Sequence, residues 1–269
     1  MIFRVLDLES IADESVWTHG EPTYKMVPAE VPGMIDLRAG DPVPPPYACR
    51  VVALSWVDVG MDPARLGRYY FDRCYSECLW DVSGSPGRAD AAEYKMLAAF
   101  AAAMAMTPVP TLVTWNGRTF DLPVLSMRSF KHRIPFAWYY AERNVRYRYS
   151  DEGHLDLMDS LSDYGACRFM RLSDVARLCG LPGKTDMSGD KVADQYALAC
   201  REPARSDEIA DRVRRYCLQD SLQTAIIFLR RCFHLGKVDA EGHNIALGTF
   251  RASPSVTEAI DLDWDRLLL

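Results

Sequence analysis

Residues 2–9, which read Ile-Phe-Arg-Val-Leu-Asp-Leu-Glu, decide the fold of this 269-residue chain. The apolar run at 2–8 passes into acidic residues and predicts a first, central strand. Side chains two positions apart on a strand share a face, so Asp7 and Glu9 project together from its end. Two such anions favour a cation between them, and a divalent metal that prefers oxygen ligands is the natural occupant. The alternative is a strand end that meets solvent, since about one D-x-E is expected by chance in such a chain.

The second pattern places an acidic residue where a predicted strand passes into a predicted helix. Residues 111–116 contain β-branched side chains and predict a strand, and residues 120–132 predict a helix that tolerates Pro123 in its first turn. Asn116 therefore ends the strand and Asp121 begins the helix, where the ligands of α/β sheets gather. The alternative for Asp121 is a helix cap, which acidic residues commonly provide.

The third pattern lies on the longest predicted helix, residues 207–235. Tyr216 and Asp220 are four residues apart and share a face of that helix. A phenol and a carboxylate placed in this way can address the same water at a metal. A second Y-x-x-x-D occurs at Tyr147 and Asp151. We favour the first pair because its helix is long and it comes last in the chain.

The remaining elements predict an α/β layered domain with a mixed sheet, since three strands, a helix, a strand and further helices follow one another. Residues 13–48 carry seven prolines and predict a long loop, which is typically functional or mobile. The last thirty or so residues are compatible with a hairpin followed by an acidic amphipathic tail. The other predicted elements are strands at 50–59 and 67–72 and helices at 89–106, 172–179 and 189–200.

Composition excludes several classes of protein. Hydrophobic residues make up 49% and charged residues 25% of the chain, which is ordinary for a globular domain and not for a disordered, collagen-like or coiled-coil protein. No run approaches the roughly 18 apolar residues of a membrane span, so we expect no membrane association. The eight cysteines form no C-x-x-C pair, which favours reduced thiols in a cytoplasmic protein.

Positive charge is concentrated at residues 122–150, although the chain as a whole has a net charge of -6. The overall balance argues against a general nucleic-acid coat protein. Within this segment cations alternate with aromatic residues, which suits a single strand because cations meet phosphates and rings stack on bases. The alternative is a solvated basic helix face beside ordinary core aromatics. The residues are Arg128, Lys131, Arg133, Arg143, Arg146 and Arg148, with Phe130, Phe136, Trp138, Tyr139, Tyr140, Tyr147 and Tyr149.

In this order, the three acidic patterns resemble the DEDD superfamily of 3′–5′ exonucleases, and the tyrosine of the third resembles its DEDDy branch. The closest resemblance is to the proofreading domain of family-B DNA polymerases and its stand-alone bacterial relatives. Residues 44–46, 154–157 and 180–184 are further similar features. The resemblance covers residues 1–235, with 13–48 as a Pro-rich insertion, and leaves 236–269 as a C-terminal extension of unknown role. It implies an RNase H-like (DnaQ-like) fold, with a mixed central sheet flanked by helices, in a free-standing nuclease.

The resemblance also implies an activity and a site. The activity is two-metal hydrolysis of phosphodiester bonds at the 3′ ends of single-stranded nucleic acid, with DNA favoured and nucleoside 5′-monophosphates released. When the patterns are carried over one by one, four residues look like the ligands of two Mg²⁺ or Mn²⁺ ions: Asp7, Glu9, Asp121 and Asp220. Tyr216 looks like the group that orients the attacking water, since its ordinary pKa near 10 makes it a poor base.

Several residues are expected to hold the substrate or support the site. By the resemblance, Asn116 and Phe120 shape the pocket of the terminal nucleotide. Lys184 lies in a Gly-rich turn, where it contacts a phosphate or is simply exposed. Asp156 is expected to support the site by holding other groups in place, without binding a metal itself. In the basic segment, the residues expected to contact the phosphate backbone of the nucleic acid are Arg128, Lys131 and Arg133.

Two alternatives to the leading hypothesis remain open. One is an exonuclease that processes RNA or short oligonucleotides, since none of these patterns distinguishes DNA from RNA. The other is a module that holds nucleic-acid ends without cutting them. The patterns do not predict an oligomeric state.

Overall fold

The computed structural model describes residues 1–17, 23–28, 35–40, 44–65, 67–141, 143–183, 187 and 189–269, and of residues 23–28, 35–40, 143 and 190 it describes the backbone alone. The strands are β1 (Ile2–Ala12), β2 (Thr23–Pro28), β3 (Ile35–Gly40), β4 (Cys49–Met61), β5 (Tyr69–Cys78), β6 (Thr111–Thr114) and β7 (His154–Asp156). The α-helices are α1 (Pro86–Met104), α2 (Asp121–Lys131), α3 (Ala137–Ala141), α4 (Arg143–Arg146), α5 (Leu157–Leu161), α6 (Leu172–Leu178), α7 (Val192–Arg201), α8 (Ser206–His234), α9 (Ala240–Arg251), α10 (Pro254–Thr257) and α11 (Trp264–Leu267).

Strand β1 lies at the centre of a five-stranded mixed sheet in the order β5-β4-β1-β6-β7. On one side, β1 pairs antiparallel with β4, and β4 pairs antiparallel with β5. On the other side, β1 pairs parallel with β6, and β6 pairs parallel with β7. Helices cover both faces of this sheet. The predicted α/β architecture, with a mixed RNase H-like sheet flanked by helices, is therefore confirmed.

The two faces of β1 enter different parts of the core because neighbouring side chains on a strand point in opposite directions. Leu6 belongs to the same buried cluster as Phe100 of α1. Val5 belongs to the cluster of Leu222 on α8. Asp7 lies two residues after Val5 and points to the same face of the strand, so its side chain faces α8. Strand β4 is buried along nearly its whole length, as expected of a strand covered on both faces.

Two sequence-based predictions about irregular regions are wrong. Within residues 13–48, predicted as a loop, β2 pairs antiparallel with β3 to form a separate two-stranded sheet. After α8, three helices replace the predicted hairpin and acidic tail. Asp239 caps α9 by accepting a hydrogen bond from the amide of Gly242, and Phe250 packs edge-on against Phe71 of β5 with ring centroids 5.1 Å apart. The apolar positions of α9 thus complete the core instead of forming a strand.

The other predicted elements are present with boundaries shifted by a few residues, and the strand predicted at 67–72 continues to Cys78. The first turn of the helix predicted at 189–200 is a 3₁₀ turn, Gly189–Lys191. Within the described residues, no helix is both long and apolar enough to cross a membrane.

Candidate active site

Three of the predicted acidic residues meet beyond the middle of β1. One carboxylate oxygen each from Asp7, Glu9 and Asp220 lies within 4.8 Å of the others. Asp7 and Glu9 reach this point because they share one face of β1, and α8, which packs on that face, supplies Asp220. Glu9 is 8% exposed and Asp220 6% exposed. Asp7 is half-buried, so the structure gathers three carboxylates of which two are largely shielded from water.

Asp121 joins this cluster from the first turn of α2, where it is buried. Its own backbone amide and that of Leu8 lie close enough to this carboxylate to lower its pKa, against the larger effect of burial. Strand β6 pairs with β1 only as far as Val5, so beyond that point the edge of β1 is open to α2. Asp121 is close enough for its charge to raise the pKa of Asp7. All four predicted acids thus lie around the same stretch of β1.

The turn that delivers Asp121 depends on backbone geometry at residues 116–118. Asn116 has a φ of 63°, a left-handed conformation that asparagine tolerates better than most residues. A Cβ on Gly117 would lie 2.5 Å from the side chain of Thr114, so only glycine fits there. Asp156 accepts hydrogen bonds from the backbone amides of Asn116 and Arg118, both at 3.0 Å. The supporting role predicted for Asp156 is thus exerted on this turn.

Burial and mutual repulsion dominate the electrostatics of the cluster. Burial, followed by the charges of Glu9, Asp220 and Asp121, raises the pKa of Asp7 well above its ordinary value. Burial, with a contribution from Asp156, raises the pKa of Asp121 to about 7. The Oδ2 atom of Asp7 is buried and has no hydrogen-bond partner among the described residues. Both observations fit a cluster whose missing partner is a cation.

Tyr216 lies one helical turn before Asp220 and is 6% exposed. Its hydroxyl forms a hydrogen bond with the carboxylate of Asp220. Burial, with the charges of Asp220, Glu9 and Asp7, raises the pKa of this phenol above its ordinary value. At neutral pH the phenol is therefore protonated and acts as a hydrogen-bond donor.

Two residues near the cluster were missed by sequence reasoning. Gln223 links Asp220, at 3.5 Å, to the backbone amide of Gly183, at 2.8 Å. The thiol of Cys217 donates to the carbonyl of Asp7 at 3.4 Å. Gln223 stands three residues after Asp220, so the helical spacing that predicted the Tyr216–Asp220 face also marks this residue.

The residues predicted to contact the substrate differ in where the structure places them. Phe120 precedes α2 and, like Asn116, lies half-buried beside Asp121, so their role in shaping a nucleotide pocket stays a prediction. Lys184 lies outside the described residues. Arg133 is exposed at the end of α2, and its phosphate contact stays a prediction.

The prediction that Arg128 contacts substrate is wrong, because its side chain is fully buried. Its guanidinium bonds to Glu93 at 2.6 and 2.7 Å and to Asp13 at 2.7 Å. Lys131 pairs with the same Asp13 at 3.1 Å and with Asp90 at 2.7 Å, so it too takes part in this ion-pair network. The network joins α1 and α2 to the end of β1, which is a structural role.

The aromatic residues of the basic segment divide into two groups. Phe136 and Trp138 are buried in the core, as the structural alternative predicts. Tyr140, Tyr147 and Phe130 are more than half exposed. The guanidinium of Arg146 lies 5.2 Å from the ring centroid of Tyr140. A surface with stacking rings and cations thus remains on α3, α4 and the following turn.

Comparisons with known proteins place the site in context. Residues 45–258 match a family described as a predicted 3′-5′ exonuclease related to the exonuclease domain of PolB. No curated protein matches the sequence. Among solved structures, E. coli exonuclease I in complex with a dA16 oligonucleotide is 15% identical, over 78% of this chain and 42% of that chain, with a TM-score of 0.40. The family B DNA polymerase of the hyperthermophilic archaeon Pyrobaculum calidifontis is 15% identical, over 86% and 33% of the two chains, with a TM-score of 0.41.

This chain therefore spans 42% and 33% of the length of those two proteins. The family match is the informative comparison, because it includes α2 with Asp121 and α8 with Tyr216 and Asp220. It covers well over half of the chain. The expected resemblance to the proofreading domain of family-B polymerases is confirmed: the chain belongs to the family of predicted 3′–5′ exonucleases related to the exonuclease domain of PolB.

Proposed function

We propose that this chain hydrolyses phosphodiester bonds at the 3′ ends of single-stranded nucleic acid, with DNA as the favoured substrate, and releases nucleoside 5′-monophosphates. The observation that carries the proposal is the meeting of Asp7, Glu9 and Asp220 within 4.8 Å of one another, with Asp121 beside them, in a chain of an exonuclease family. Carboxylates gathered in this way repel one another, and a cation between them relieves that repulsion.

The residues present fit two divalent cations, Mg²⁺ or Mn²⁺. Carboxylate oxygens are the ligands that such hard cations prefer. The raised pKa values of Asp7 and Asp121 and the buried, unpartnered Oδ2 atom of Asp7 support a cation as the missing partner. Asp7, Glu9, Asp121 and Asp220 would hold the ions. When bound, such a pair of ions activates a water molecule and stabilises the leaving 3′ oxygen.

Tyr216 would orient the attacking water and not remove its proton. Its pKa is raised by burial and by the neighbouring carboxylates, so the phenol keeps its proton throughout the neutral range. A group that stays protonated is a poor general base but a good hydrogen-bond donor. The hydrogen bond to Asp220 fixes the ring at the edge of the cluster.

The exposed rings of Tyr140, Tyr147 and Tyr149, with Arg146 beside them, support a single-stranded substrate. Ring stacking requires unpaired bases, and cations between the rings attract the backbone. We include Asn116 and Phe120 in the proposal, because their position next to Asp121 suits contact with the terminal nucleotide.

A single experiment tests both the activity and the polymer. One oligonucleotide sequence is made as 5′-labelled DNA and as 5′-labelled RNA, and each is incubated with the chain and Mn²⁺. A descending ladder that disappears with EDTA and in Asp7→Asn supports the proposal and names the substrate. Asp261→Asn removes an exposed carboxylate and serves as the matched control that keeps activity. Intact label with binding still detectable would favour a module that holds ends without cutting.

A further inference from the structure

A cavity of about 450 Å³ opens beside Tyr216, between α7 and α8. Its described lining contains three cations and no carboxylate, next to a site that consists of carboxylates. In a chain with a net charge of -6, such a group of cations favours the approach of a polyanion. The polar lining residues are Lys191, Gln195, Arg212, Arg215, Tyr216 and Gln219.

The cavity and the acidic cluster share two walls. Tyr216 belongs to both, because Arg212 precedes it by four residues on α8 and Asp220 follows it by four. The turn before α7 forms the other wall. A Cβ built on Gly189 would lie 3.5 Å from Oε2 of Glu9, and Lys191 stands two residues further on. The cavity is therefore within reach of a nucleic-acid strand whose 3′ end lies at the carboxylates.

The cations of the cavity are available to a ligand. Arg212 and Arg215 are 53% and 58% exposed at the side chain, and they pair with Glu208 at 3.5 Å and Asp211 at 2.8 Å. Such exposed pairs contribute little to stability, so either guanidinium can turn to a phosphate at small cost. Lys191 is exposed, and the described part of the chain gives it no ion pair.

Gln195 supplies an independent sign of a missing partner. Its Oε1 atom is buried, yet no hydrogen-bond partner for it lies within the described residues. A buried polar atom of this kind is normally satisfied by protein, water or a ligand. Rotation of the amide presents its NH₂ group instead, so the same side chain can donate to an oxyanion.

We propose that this cavity binds a backbone phosphate of the substrate strand next to the bond that is cleaved, with Arg212 and Arg215 as the principal contacts. Guanidinium groups suit phosphate oxygens because they form paired, charge-assisted hydrogen bonds. Lys191 and Gln195 complete the site. The proposal rests on the proposed function, and it assigns these residues to substrate positioning and not to the chemical step.

The test compares the double variant R212Q/R215Q with R251Q. Arg251 has a similar side-chain exposure, 56%, and a similar ion pair, to Asp265 at 3.0 Å, but it lies on α9. Binding of a labelled DNA single strand is measured in an Asp7→Asn background, which prevents cleavage, at several salt concentrations. The double variant should bind about tenfold more weakly, and the slope of log affinity against log salt should fall by about 0.7, the value for one lost phosphate contact on a single strand.

In the cleaving chain, R212Q/R215Q should raise KM by a similar factor and leave kcat nearly unchanged. Affinity, salt slope and KM that equal those of R251Q would overturn the phosphate site. A fall in kcat at unchanged KM would overturn it as well. Absence of cleavage by the unmodified chain would instead refute the proposed function, and the binding arm would still decide whether the cavity holds phosphate. Thermal unfolding of both variants confirms that each is folded.

Discussion

The backbone amide of Leu8, the residue between Asp7 and Glu9 on β1, lies close enough to the carboxylate of Asp121 to lower the pKa of that carboxyl, against the larger effect of burial. This proximity brings the first turn of α2 against the strand that carries Asp7 and Glu9, at a point that β6 no longer covers. The candidate site therefore depends on a backbone contact that no side-chain pattern contains.

Replacement of Asp121 by Asn should separate activity from stability. The amide keeps an acceptor for the Leu8 N–H but removes a charge from a buried group of anions. We expect the activity to fall by about 100-fold or more, because a metal ligand is lost. Unfolding in EDTA should occur at an unchanged or higher temperature, because repulsion is relieved. Loss of stability in parallel with activity would contradict this account.

The acidic cluster should make the metal-free chain less stable, relative to Asp7→Asn/Asp121→Asn, as the pH rises from 5 to 8. The comparison with that variant is needed because His154 and His243, whose pKa values burial lowers, contribute with the opposite sign. The pKa of Asp121 is raised to about 7, and that of Asp7 is also raised, whereas both side chains in the unfolded chain have a pKa of about 4. Above that value the folded state holds protons that the unfolded state has released, so increasing pH favours unfolding. Urea unfolding in EDTA at pH 5, 6.5 and 8 measures this trend.

Addition of Mn²⁺ should reverse that pH trend, because cations stabilise the ionised carboxylates and bind the folded state preferentially. The stabilisation should be greatest at pH 8, where no proton competes for the ligands. A stability difference between the metal-free chain and Asp7→Asn/Asp121→Asn that stays constant between pH 5 and 8 would show that the cluster does not hold protons in the folded state.

Tyr216→Phe should lower kcat by about 10- to 100-fold and change KM little. The ring packs in a buried cluster with Val213 and Cys217, so Phe should preserve the fold. Tyr196→Phe is a matched control, since that hydroxyl donates to the carbonyl of Asp81 at 2.8 Å and lies outside the acidic cluster. A kcat equal to that of the control would remove Tyr216 from the proposed site.

Arg128 and Arg133 should respond in opposite ways to substitution. Arg128→Met leaves Glu93 and Asp13 buried and less well paired, which should cost about 3–5 kcal/mol of unfolding free energy. The DNA affinity of its folded fraction should be unchanged. Arg133→Gln removes an exposed cation, so stability should stay within about 0.5 kcal/mol. Its DNA affinity should fall if the predicted phosphate contact exists. Urea unfolding and a binding titration measure both quantities.

The part of the site that sequence reasoning can reach is the part governed by local periodicity. The two-residue repeat of a strand predicts that Asp7 and Glu9 share a face, and the four-residue spacing of a helix predicts the same for Tyr216 and Asp220. The role of Arg128 could not be predicted, because its partner Glu93 lies on α1 and is brought to it only by packing. A run of cations on one segment does not distinguish a buried ion-pair network from a phosphate-binding surface.

Other differences also come from contacts between distant segments. The cap at Asp239 was a local signal for α9, but the decisive contact, between Phe250 and Phe71, joins residues far apart in the chain. The cavity beside Tyr216 is likewise formed by two helices, and neither Arg212 nor Lys191 stands out in the sequence alone.

The most direct test is anomalous diffraction from crystals of the chain soaked in Mn²⁺. The account predicts two peaks of anomalous density among Asp7, Glu9, Asp121 and Asp220, and none in crystals of Asp7→Asn/Asp220→Asn. A second group of possible ligands, Asp90, Glu93 and His132, is an internal control because Arg50, Arg128 and Lys131 already neutralise it. Density at that group alone, or at neither group, would contradict the two-metal site.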